Sequence, residues 1–164
     1  MEHLAAKYGP SVVAKFSQPG NPLDVAGGKV GIAFNSRRRV IQTLSAHRVV
    51  EWAATKDASR QDPLMEEFFK AYFEEGRDLS KVSELGACVE KVGGIGSAED
   101  CRKMLEESTD FAESVKKEDD GWKKKRVSGV PFFIIGSGKK AVQLSGGQPP
   151  EVFAEVIEDL MQEP

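Results

Sequence analysis

The sequence predicts an α/β chain that is mostly helical and closes with a β-hairpin and one last helix. Three observations predict it. Apolar residues recur at helical spacing from residue 42 to about 127. A dense run of strand formers, Val130 to Ile135, breaks that pattern and is followed by a Gly136-Ser137-Gly138 turn. An amphipathic segment then opens at Pro149-Pro150.

Residues 1–40 are weakly patterned. Pro10 and Ser11 can open a short helix to Phe16, and Pro19, Gly20, Asn21, Pro22, Gly27 and Gly28 read as a loop. The basic run Arg37-Arg38-Arg39 reads as a solvated loop or helix entry, with an anion site as the alternative. From residue 42, Ala46, Val49, Val50, Ala53 and Ala54 fall on one helix face. The next helix is expected to take Asp62 as N-cap and Pro63 at its first position. Its stripe is Leu64, Met65, Phe68, Phe69, Tyr72 and Phe73, which predicts cover on both flanks, and Gly76 ends it. An aromatic cofactor box is the sharper reading of that stripe.

A third helix begins at Ser80 with Leu85, Cys88, Val89 and Val92 on its face, and Gly93-Gly94 stops it. Ser97 caps a fourth, with Glu99 and Asp100 in its first turn. A charged helix is expected from Ser108 to Lys125, with Trp122 anchored and Gly121 able to bend it. Val130–Ile135 and the Ala141, Val142, Leu144 segment are close enough to pair as a hairpin. The final helix is expected to bury Val152, Phe153, Val156, Ile157 and Leu160.

The 164 residues suit one domain, and a net charge of −3 argues against nucleic acid or an anionic membrane as partner. No run approaches the roughly 18 apolar residues of a membrane span. Met1 to Leu4 carries no secretory pattern, and with only two cysteines the default compartment is the cytoplasm. Cys88 and Cys101 lie on apolar helix faces and read as inert buried thiols. A disulfide between them needs Cα atoms within roughly 7 Å. His47 reads as a helix-packing or capping residue rather than a base, and His3 has no context. No metal-ligand spacing, phosphate loop or serine triad is present, so no cofactor is expected. The feature closest to chemistry is Gly129-Val130-Pro131 leading into a strand. A strand's first residue tolerates proline. A trans proline there would merely start the strand, whereas a cis bond would leave the Val130 N–H and C=O unpaired to receive an extended peptide or thiol ligand.

The segments Gly129–Ile135 and Ser145–Phe153 resemble the end of the DsbA-like thioredoxin family, closest to its FrnE-like branch of dithiol-disulfide isomerases. Ala46-His47-Arg48-Val49 with Trp52-Ala53 is similar to the branch's A-H-R-L helix, and Phe69–Asp78 to its F-R-A-Y-F-E-E-G-R-D-I segment. Leu4–Gly9 resembles the linker after the family's second strand. The resemblance implies a single partial thioredoxin-like domain over 1–164. Within it, about 42–127 forms the helical insertion and following helix, and 128–164 the hairpin and closing helix. It implies thiol–disulfide oxidoreductase or isomerase chemistry, with Pro131 as the cis-proline and Val130 before it as substrate-binding residues.

The family's strand, Cys-x-x-Cys helix and strand should precede Leu4, so the chain looks N-terminally truncated and no catalytic residue is assigned. The apolar edge of Phe132–Ile135 would then lack its neighbouring strands, a pairing hazard. A thiol or disulfide peptide, or a glutathione-like molecule, is the implied substrate. Kappa-class transferases and related isomerases, or a non-catalytic peptide-binding module, are the alternatives. Oligomeric state is left open.

Overall fold

The computed structural model describes residues 9–162 apart from Ser17, Pro19 and Ser128; the expectations on His3, Leu4–Tyr8 and Pro19 lie outside the described residues. The described chain is mostly helical and divides into two compact units, 1–115 and 116–164.

The first unit begins with α1 (Pro10–Phe16) and α2 (Pro22–Lys29). The second corrects the expected loop at 20–28. The Asn21 side-chain carbonyl accepts the N–H groups of Leu23 and Asp24 at 2.9 and 3.2 Å, and Pro22 sits at the first turn, where its missing N–H costs nothing. Residues that look like turn formers are here a cap and a helix start. Gly27 is buried, and an added Cβ there would lie 2.7 Å from the Phe34 ring and 2.8 Å from the Ile32 carbonyl oxygen.

Helix α3 (Leu44–Lys56) buries Val49, Trp52 and Ala53, as its periodicity predicts. His47 points to solvent, so the expected packing or capping role is corrected. A 3₁₀ turn (Ala58–Arg60), whose Ser59 N–H is accepted by Asp57, leads into α4 (Gln61–Phe69). Asp62 therefore lies inside the first turn rather than at the cap; the chain is already helical when it arrives. Leu64 and Phe68 are buried, but Phe69 is 47% exposed. Met65, Tyr72 and Phe73 are half-buried, so the expected cover on both flanks is corrected to an incomplete one, and a π turn (Lys70–Glu74) follows Phe69. The chain leaves this turn at Gly76, whose φ of 70° suits glycine.

Helix α5 (Val82–Val92) starts two residues after Ser80, where Asp78 accepts the Ser80 N–H. It packs Leu85, Cys88 and Val89 into the core and stops at Gly93. Helix α6 (Ala98–Glu106) opens on a complete capping box: Ser97 accepts from the Asp100 N–H and Asp100 accepts from the Ser97 N–H. Cys101, Met104 and Leu105 complete the core with α3, α4 and α5.

Helix α7 (Ala112–Lys124) begins later than the expected Ser108 and continues through Gly121. Trp122 is 40% exposed rather than anchored, and Lys125 lies over its ring at 4.2 Å. Strand β1 (Phe132–Ile135) pairs antiparallel with β2 (Val142–Ser145), with Phe133 opposite Leu144 and Ile135 opposite Val142. A 3₁₀ turn (Gly138–Lys140) joins them. Helix α8 (Pro150–Gln162) backs the hairpin: Phe153 meets Phe133 edge-on at 4.9 Å between centroids. Ile157 is 46% exposed, so the expected fully buried stripe is corrected to one that is half covered.

Candidate functional site

The predicted substrate residues lie where β1 begins. Strand pairing closes at Phe132 opposite Ser145, and one further bond, Gly146 N–H to the Pro131 carbonyl at 2.8 Å, extends it past the strand end. The Val130–Pro131 peptide bond is cis. Val130 is 91% exposed, and among the described residues neither its N–H nor its carbonyl has a hydrogen-bonding partner. The position thus offers one free donor, one free acceptor and a bare branched side chain. An extended backbone segment can satisfy all three in the manner of strand addition. Gln148, from the tail motif, donates to the Ser145 carbonyl at 2.9 Å and so holds the turn beside the strand.

The two thiols are differently placed. Cys88 on α5 and Cys101 on α6 are fully buried and unpaired. Burial pushes both up to about 11; at Cys88 the nearby Arg77 opposes the shift without cancelling it. Thiol exchange requires the thiolate, so groups that remain protonated and covered are poor nucleophiles. Both cysteines are core residues, as their helix faces predict.

Sequence reasoning passed over Arg48, whose side chain is 8% exposed. Its guanidinium donates to the carbonyls of Met104 (3.0 Å), Leu105 (3.3 Å), Ser108 (2.7 Å) and Asp110 (2.8 Å). It closes the C-terminal end of α6, where carbonyls run out of helical partners and a cation suits the dipole. Its one local sign is position, next to Val49 and a turn before Trp52 on the buried face.

The basic run is split. Arg38 lies over the Phe34 and Phe73 rings, 5.6 Å from each centroid, while Arg37 and Arg39 extend to the surface. Among the described residues no group of three or more His, Cys, Asp and Glu could hold a metal ion, and no helix is long and apolar enough to cross a membrane.

No curated protein matches the chain. The family model of the DSBA-like thioredoxin domain matches residues 22–158, from the start of α2 through the core helices and the hairpin into α8. The mostly helical architecture, the antiparallel hairpin and the helix behind it are this family's fold. The chain belongs to the DSBA-like thioredoxin domain family.

Proposed function

We propose that this chain is a FrnE-like member of the thiol–disulfide oxidoreductase family that holds an extended thiol or disulfide peptide at Val130 and Pro131. In this reading its own two cysteines take no part in exchange. The observation that carries it is Val130, 91% exposed with both backbone groups unpartnered at a strand's entry. An incoming peptide gains two backbone hydrogen bonds there and covers an apolar side chain. The thiols at Cys88 and Cys101, raised to about 11, support the second half of the reading. The branch assignment rests on Ala46–Val49, Phe69–Asp78 and Ser145–Phe153.

The test combines two measurements. Dithiothreitol-driven insulin reduction should run no faster with the chain than without it. Fluorescence anisotropy of a labelled, unfolded cysteine-containing peptide should show saturable binding that Val130→Glu weakens about tenfold or more, a loss of about 1.4 kcal/mol. Rapid insulin turnover, or peptide binding indifferent to Val130→Glu, would refute the proposal. Tight glutathione binding without peptide binding would favour the glutathione-dependent enzymes of the same family instead.

A further inference from the structure

A second surface has chemistry that the peptide ledge does not use. Arg37, Arg39, Ile41, Gly76, Arg77, Asp78 and Lys81 line a cleft of about 270 Å³. The loop that supplies the arginines is pinned at several points. The Asn35 N–H bonds the Phe73 carbonyl at 2.7 Å, the Asn35 side chain accepts the Arg37 N–H at 2.9 Å, and the Tyr72 hydroxyl donates to the Arg39 carbonyl at 2.7 Å. Arg38, held over the Phe34 and Phe73 rings, fixes the loop from the other side.

Arg37 and Arg39 are therefore presented from a backbone already ordered, so a ligand would not have to bear the cost of ordering the loop backbone. Arg77 is matched by Glu84 at 2.6 Å and Glu75 at 3.7 Å. Arg37, Arg39 and Lys81 have no ion-pair partner among the described residues. Asp78 accepts the hydroxyl and N–H of Ser80, and these bonds, helped by Lys81 and Arg39, hold its carboxyl below the usual range. Arg77 has one carboxylate partner more than its own charge balances, so Arg37, Arg39 and Lys81 set against Asp78 and that surplus carboxylate leave one net positive charge, carried on three cations without an ion-pair partner among the described residues.

We propose that this cleft binds the dianionic phosphate of a small soluble phosphomonoester. Three cations without ion-pair partners can each meet a phosphate oxygen, and arginines suit the geometry of phosphate oxygens better than lysines alone. The volume lies just under the range of drug-sized pockets, enough for a phosphate with a short stem.

The test is NMR titration of the whole chain with inorganic phosphate and with glycerol 3-phosphate, at low salt. Saturable shifts at residues 37–41 and 76–81 are expected for both probes. Affinity for glycerol 3-phosphate should rise as pH passes the monoester's second pKa near 6, where the dianion forms, and the rise for inorganic phosphate should come at higher pH. Arg39→Gln and Lys81→Gln should each weaken binding about tenfold. Both side chains are exposed, so the fold should survive, which unchanged far-UV circular dichroism would verify. Lys103→Gln, on α6, should leave affinity unchanged. No saturable shift at the cleft, equal weakening by Lys103→Gln, or binding only to phosphatidic acid vesicles would overturn the proposal.

Discussion

Replacing Arg48 with methionine should be among the most destabilising single changes in the first unit. Methionine keeps much of the apolar stem and removes all four guanidinium contacts. The Met104 and Leu105 carbonyls receive their bonds in buried surroundings, whereas those of Ser108 and Asp110 are partly open to water. A buried carbonyl that loses its partner costs about 1–3 kcal/mol, so the first two account for about 2–6 kcal/mol. Relief from desolvating the cation offsets part of that. The expected net loss is about 3 kcal/mol, a large share of the 5–15 kcal/mol that holds a typical domain folded.

Arg48→Lys, with three ammonium protons and no planar fork, should recover about half of the loss. His47→Ala, next in sequence but exposed, should stay within about 0.5 kcal/mol of the parent. Urea unfolding followed by the buried Trp52, in a Trp122→Phe background that silences the other indole, reads these differences. A loss below about 1 kcal/mol for Arg48→Met would show that water or the helix end satisfies those carbonyls unaided.

The remaining predictions concern the core and the caps. Ser97→Ala breaks the capping box of α6 and should cost about 1 kcal/mol by urea unfolding. Gly27→Ala should destabilise by about 1–3 kcal/mol because the new methyl meets backbone at 2.8 Å, while Gly28→Ala, with open space around it, should stabilise slightly. Ellman's reagent should label Cys88 and Cys101 rapidly in denaturant and far more slowly in the native chain. Because both folded thiols are raised from 9.0 to about 11, the unfolded chain loses its protons first; stability should hold below pH 9 and fall as pH climbs toward 11. A flat profile between those values would show that the thiols are not held in the core.

Helix faces were legible where burial follows a regular period, as at Val49, Ala53, Leu85, Cys88 and Val89, because that period is the physical cause of the packing. The hairpin was legible because Phe132–Ile135 has strand formers and a glycine turn. Helix α2 was not, since proline, glycine and asparagine serve equally as loop makers and as caps, and only the Asn21 side-chain bonds decide between them. Phe69, Trp122 and Ile157 fit apolar stripes yet remain partly open; period alone says which face is apolar and not how far it is covered. Arg48 gave only its place on the buried face of α3 as a local signal, because its carbonyl partners lie 56 to 62 residues further along the chain. The split of Arg37, Arg38 and Arg39 likewise depends on where the Phe34 and Phe73 rings arrive.

The peptide ledge is tested most directly by mapping backbone amide shifts of the full chain during titration with an unfolded cysteine-containing peptide. The account predicts saturable shifts centred on Gly129, Val130 and Phe132, with the Cys88 and Cys101 amides unmoved. Shifts centred on the cysteines, or none at the entry to β1, would contradict it.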